Sequence, residues 1–205
     1  MKNKKTMQWK LNDVILVGVI GVVFSVIYLA VLHLGQLLQV LLAPWGLSPF
    51  AYEIVYGIWF SAATLAAYIM QKPGVAFVSE VLASFLELLL GNIGGPLVVI
   101  AGILQGLGTE LGFAVFKYRK FDFLSMSISG VFAAIITFLW GFVQAGYALL
   151  KPSLLIAMLA VRILSAVVFA GLLSKLIGDG VAKTGVLKSY PLGKKLQPEY
   201  HVEEI

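Results

Sequence analysis

Residues 77–110 read FVSEVLASFLELLLGNIGGPLVVIAGILQGLGTE, and this stretch decides the fold. It is apolar enough to lie in a bilayer, yet it carries Glu80, Glu87, Asn92, Gln105 and Glu110. A charged side chain near the bilayer centre costs about 2.5–3.5 kcal/mol on insertion scales. Glu80 and Glu87 stand seven positions apart, about two helical turns, and so share one face of one helix. The Gly-rich turn GNIGGP brings the chain back, and Gln105 returns toward the middle. Polar groups spaced this way are expected to face a bundle interior or a water-filled cavity rather than lipid.

The rest of the chain implies the same solvent. Of its 205 residues 60% are hydrophobic and 12% charged, with a mean hydropathy of +0.96. A soluble domain of this size could not cover so much apolar surface, which points to an all-α integral membrane protein. The absence of cysteine excludes disulfides, thiolate metal sites and a cysteine nucleophile. The net charge of +5 lies at the termini and between apolar runs. That is topological bias and not a stripe for nucleic acid. The basic start MKNKKTMQWK, followed by an apolar run without an A-x-A site, is expected to be a retained cytoplasmic anchor.

Apolar runs predict six membrane-spanning helices over about 12–34, 50–70, 74–91, 96–117, 123–149 and 152–177. Residues 1–178 then form one six-helix domain, and 179–205 a polar cytoplasmic tail on the membrane surface or hanging free. Residues 35–50, GQLLQVLLAPWGLSPF, are punctuated by Pro44, Gly46 and Pro49 and predict an interfacial or re-entrant loop over one mouth of the bundle. On the first helix Gly18, Gly21 and Ser25 form a small-residue stripe, suited either to a partner subunit or to internal packing. Gly102/Gly106 and Gly108/Gly112 allow close packing on two sides of the fourth helix. Lys and Arg gather at the N-terminus, around Lys72, at Lys117–Lys120 and after Lys175, whereas the other face receives Lys151 alone. The positive-inside rule therefore predicts that both termini are cytoplasmic.

That topology assigns depths. Trp140, Gln144 and Tyr147, at i, i+4 and i+7, form a stripe in the outer half of the fifth helix. Glu53, Tyr56 and Trp59 open the second helix from the outer side, Glu87 lies about one turn below the outer end of the third, and Gln105 is a little deeper on the fourth. Aromatic faces with amides and a carboxylate suit a flat, nitrogen-bearing or cationic ring. The plain alternative for each aromatic is the membrane-interface belt, and for Glu87 a structural ion pair. Arg162 and Glu80 fall at similar depths on the sixth and third helices and are expected to form a buried pair, or else Arg162 meets an anionic ligand or a proton path. Glu110 points about 140° away from Gln105 and is a poor candidate for the same pocket. His33 and His201 have no companions at metal-ligand spacing, and no catalytic or ATP-binding motif occurs, so the sequence calls for no metal, no cofactor and no enzymatic activity.

Taken together, FLELLLGNIGGP (85–96), GILQGLGTEL (102–111) and GFVQAGY (141–147) resemble the YkoE family, substrate-binding S components of energy-coupling factor (ECF) vitamin transporters. The resemblance covers nearly the whole chain. It implies a bacterial plasma-membrane protein that captures thiamine or its hydroxymethylpyrimidine precursor from outside. It also implies docking on a transmembrane T component driven by two cytoplasmic ATPase (A) subunits. Under it Glu87 would accept from an aminopyrimidine or balance a thiazolium, Trp140 and Tyr56 would stack on a ring, Gln105 and Gln144 would read ring nitrogens, and Asn92 would hold the hairpin or touch ligand. Two rivals remain from the residues themselves: a stand-alone proton-coupled transporter using Glu80, Glu87 and Arg162, and an intramembrane enzyme using the glutamates.

Overall fold

The computed structural model describes residues 8–197, and every regular element among them is helical. The α-helices are α1 (Leu11–Leu42), α2 (Phe50–Val55), α3 (Ser61–Met70), α4 (Val75–Leu89), α5 (Leu97–Val115), α6 (Phe123–Gln144), α7 (Pro152–Ala166), α8 (Ser174–Lys183) and α9 (Pro191–Leu196). A 3-10 stretch, Tyr56–Phe60, joins α2 to α3, and a π-helical stretch, Val167–Leu173, joins α7 to α8. Five stretches are long and apolar enough to cross a membrane: Leu11–Trp45, Phe50–Met70, Leu97–Val115, Phe123–Gln144 and Pro152–Lys183. The sixth expected span, α4, has 15 residues, about 22 Å of helix against a hydrocarbon core of about 30 Å.

The sequence pattern explains the packing. On α1 the buried positions Val17, Ile20, Phe24, Tyr28 and Val31 recur at helical spacing. Away from them Ile15, Val19, Val22, Val23 and Val26 are exposed and apolar, as a lipid-facing surface must be. Helix α5 lies between α4 and α6, and both of its glycine pairs are used for close approach. A Cβ on Gly108 would sit 2.5 Å from Ala133 Cα, and one on Gly102 2.1 Å from Ser84 Oγ. In the first-helix stripe Gly21 packs on Leu82 and Ser25 is buried, whereas a Cβ on Gly18 would meet nothing within 4 Å.

One end of the bundle is tied by polar contacts. Lys72 Nζ donates to Asp13 at 2.5 Å and to the Gln8 carbonyl at 2.9 Å. Glu110 accepts from the backbone N–H groups of Gly74 at 2.6 Å and Phe77 at 3.2 Å, capping the start of α4. Glu110 thus serves the end of the bundle away from Gln105. Asp122 caps α6 by accepting from Ser125 N at 2.9 Å.

Several expectations are corrected here. Residues 35–42 are not a re-entrant loop; α1 continues through them, because nothing before Pro44 interrupts the helix, and only residues 43–49 form the turn. The second span is not one regular helix. Val55 (φ −105°, ψ −2°) and Phe60 (φ −103°, ψ −3°) bracket its 3-10 stretch. The fifth helix stops at Gln144, and Gly146 in the left-handed region (φ 68°) starts a separate turn that carries Tyr147. Residues 179–197 do not hang free: α8 runs to Lys183, Leu187 and Leu192 are buried, and Tyr190 OH donates to the Asn12 carbonyl at 2.7 Å. His201 lies outside the described residues.

Candidate functional site

A cavity of about 610 Å³ opens at the end of the bundle formed by residues 43–49, 90–96 and 145–151. Its wall includes every residue that the sequence assigns to a binding site: Glu53, Tyr56, Trp59, Glu87, Asn92, Gln105, Trp140, Gln144 and Tyr147. Tyr56 and Trp59 arrive from the 3-10 stretch, where positions three apart eclipse. Their ring centroids lie 5.5 Å apart, and Tyr52 joins Trp59 at 6.2 Å. Gly57 permits this. A Cβ there would sit 2.2 Å from the Ser165 carbonyl oxygen, so only glycine lets α7 approach so closely. The interrupted ladder is repaired by Ser165, whose hydroxyl accepts from Gly57 N at 2.9 Å and donates to the Ile54 carbonyl at 2.8 Å.

The expected Arg162–Glu80 pair is absent. Arg162 instead pairs with Glu53, Nε donating to Oε2 at 2.5 Å and Nη2 to Oε1 at 2.8 Å. Depth along a helix axis is a fair guide, but azimuth decides the partner, and Glu53 meets Arg162 where α2 packs on α7. Arg162 Nη2 also donates to Tyr147 OH at 2.9 Å, Tyr147 OH donates to Glu53 Oε1 at 2.6 Å, and Nη1 donates to Thr137 at 3.3 Å. The guanidinium lies 3.6 Å over the Tyr56 ring. A single network therefore joins the cavity's cation, one of its two carboxylates and two of its aromatic residues, and cancels the charge of the pair.

Glu87 stands apart. Asn92 Nδ2 donates to Glu87 Oε1 at 2.6 Å, while Asn92 Oδ1 accepts from Gly94 N at 2.7 Å. Asn92 thus fixes the GNIGGP turn and aims Glu87 at once. No ion pair among the described residues includes Glu87. Two further polar atoms of the wall are buried without partners: the Gln105 side-chain oxygen and the Trp140 indole N–H. Gln144 lies exposed at the rim. The wall thus presents an acceptor, a donor and a carboxylate between aromatic faces.

Sequence reasoning missed Thr137, Ser84, Tyr52, Gln39 and Ser48, all of which line the cavity. Thr137 and Ser84 had a signal, because each lies three positions before a chosen residue, Trp140 and Glu87, on the same helical face. Gln39 and Ser48 had none, since they reach the cavity only through the extension of α1, with Ser48 Oγ donating to the Gln39 carbonyl at 3.0 Å.

Comparison with known proteins agrees with this architecture. Residues 12–136 match a family model described as the permease component of an ABC-type cobalt transport system. The chain is 39% identical over 189 residues to a Bacillus subtilis (strain 168) protein named as an HMP/thiamine permease, YkoE, covering 92% of each chain. It also superposes on the crystal structure of an S-component of an ECF transporter with a TM-score of 0.89 and 38% identity, covering 94% of this chain and 95% of that one.

Proposed function

We propose, from the premise that this chain belongs to the YkoE family of substrate-binding S components of ECF vitamin importers, that its cavity captures thiamine or the hydroxymethylpyrimidine precursor from the outer side of the membrane. The protein is a multi-pass cell-membrane transport subunit. The observation that carries the substrate assignment is the uncompensated Glu87 carboxylate beside the unpartnered Gln105 oxygen and Trp140 N–H, in a cavity walled by Tyr52, Tyr56 and Trp59. A pyrimidine bearing an amino group offers a donor to Glu87 or Gln105 and a ring nitrogen to Trp140. A positively charged thiazolium gains from the excess carboxylate and the aromatic faces. The cobalt of the family description is not carried over. The wall's carboxylates are Glu53, held by Arg162, and Glu87, a poor set for a metal ion.

Orientation follows from charge. Among the described residues Lys10, Lys72, Lys117, Arg119, Lys120, Lys175, Lys183, Lys188, Lys194 and Lys195 belong to the end opposite the cavity or the segments leading to it. At the cavity end the connections between helices carry Lys151, and Arg162 is buried within a span and paired with Glu53. The cavity end then faces outward, and the end that carries α8, α9 and the start of α1 faces the cytoplasm. Energy for release inward comes from a T component and two ATPase subunits, and the chain itself carries out no chemical step.

Glu87→Gln tests the assignment. It keeps the Asn92 contact possible and removes the charge, so thiamine binding is expected to weaken about tenfold or more and binding of the neutral pyrimidine by clearly less. Titration of both compounds against purified protein by tryptophan fluorescence reads the difference. Equal affinities of both compounds for wild type and variant would remove Glu87 from the site.

A further inference from the structure

We infer that Glu80, together with Tyr28, is a positioning residue for substrate: the pair caps α3 inside the bundle and so holds the break that sets Tyr56 and Trp59 against the cavity. The inference rests on the cavity being the substrate site. Where the 3-10 stretch hands over to α3 the ladder changes register: Ser61 N still donates to the Ile58 carbonyl, and the next two amides, Ala62 and Ala63, meet acceptors from outside the helix. The residue before Ser61 is Phe60, whose side chain cannot accept and is buried against Ala133, Ala134, Ala166 and Ala170. Two other helices supply the acceptors. Ala62 N donates to Tyr28 OH of α1 at 3.1 Å, and Ala63 N donates to Glu80 Oε2 of α4 at 3.0 Å. Tyr28 OH in turn donates to the same Glu80 oxygen at 3.0 Å.

Both side chains are fully buried, and neither belongs to the cavity wall. No ion pair among the described residues includes Glu80, and its Oε1 has no partner. The positive end of α3 is what the carboxyl group faces. Without these acceptors nothing outside the helix holds the Ala62 and Ala63 amides, and the α-helix is expected to continue through Tyr56–Phe60. That would swing Trp59 about 60° away from Tyr56, since three residues turn about 360° in a 3-10 helix and about 300° in an α-helix. The aromatic wall would then open. Glu80 needs to accept hydrogen bonds for this role and does not need to carry charge or move a proton.

The test compares Glu80→Ala, Glu80→Gln and Tyr28→Phe in the full chain in lipid nanodiscs, with amide hydrogen exchange over residues 56–63 and thiamine titration as readouts. Glu80→Ala is expected to speed exchange at Ala62 and Ala63 and to weaken thiamine binding, each by about tenfold, while exchange in α6 stays at the wild-type rate. Glu80→Gln keeps an acceptor oxygen and should stay within about threefold of wild type in both readouts. Tyr28→Phe should speed exchange at Ala62. If Glu80→Ala does not fold, the other two variants decide. Glu80→Gln losing affinity as Glu80→Ala does, or wild-type exchange in Glu80→Ala or Tyr28→Phe, overturns the inference. If wild type binds no thiamine, the substrate assignment fails, and unchanged exchange in Glu80→Ala would separately refute the cap.

Discussion

Arg162→Met is expected to destabilise the protein by about 3–5 kcal/mol, the cost of stranding a buried carboxylate by removing its partner. Glu53 is 1% exposed, and without Arg162 its remaining donor is the Tyr147 hydroxyl. The substitution also removes the cation from the Tyr56 face and the contact to Thr137. Four cavity residues, Glu53, Tyr56, Thr137 and Tyr147, therefore lose a contact together, and substrate capture should fall with the unfolding midpoint. The double change Glu53→Gln with Arg162→Met removes the stranded charge and should recover much of the loss, because a buried ion pair is worth little against a neutral replacement of similar volume. Thermal unfolding of wild type and both variants in one detergent decides. A double variant no better than Arg162→Met alone would mean that the pair contributes through its shape and hydrogen bonds and not through its charge balance.

Gly57→Ala is the second large effect. Its Cβ would lie 2.2 Å from the Ser165 carbonyl oxygen, 2.4 Å from the Ser165 carbonyl carbon and 2.7 Å from Ala166 N, all backbone atoms that cannot turn aside. Helix propensity favours alanine by about 1 kcal/mol, but overpacking against backbone costs about 3 kcal/mol or more when α7 must shift. The shift would also break the Ser165 bridge across Ile54 and Gly57. Loss of measurable thiamine binding, with a lowered unfolding midpoint, is the expected result. Gly18→Ala, where nothing lies within 4 Å, should change stability by no more than about 0.5 kcal/mol and supplies the control. A Gly57→Ala protein matching that control would show that the 3-10 stretch and α7 are less tightly joined than the contacts require.

That the nine sequence-assigned residues share one end of the bundle is legible because helical spacing and charge bias together fix depth, and depth is enough to gather groups at one end. Azimuth is not legible, and there the sequence misleads. Glu53 and Arg162 meet where α2 packs on α7, which depth alone does not give, and no residue in YGIWF announces the 3-10 stretch that follows. The same break accounts for Glu80, whose depth suggests an ion-pair partner and which instead accepts from Ala63 N. Tyr147 reaches the expected wall by a different route. It returns to the cavity from a turn at Gly146 and packs its ring where a Cβ on Gly141 would lie, rather than extending α6. The first helix is expected to end near 34 but runs to Leu42, just before Pro44; Gly35, where the expected loop begins, is a packing glycine buried under the Tyr52 ring and interrupts nothing.

The most direct measurement is equilibrium titration of thiamine and of hydroxymethylpyrimidine against the purified chain alone in nanodiscs, wild type beside Trp140→Ala. The account predicts saturable binding at one site per chain without T or ATPase subunits, weakened about tenfold or more by the loss of Trp140. Absence of binding to the isolated wild-type chain, or binding that Trp140→Ala leaves untouched, would contradict it.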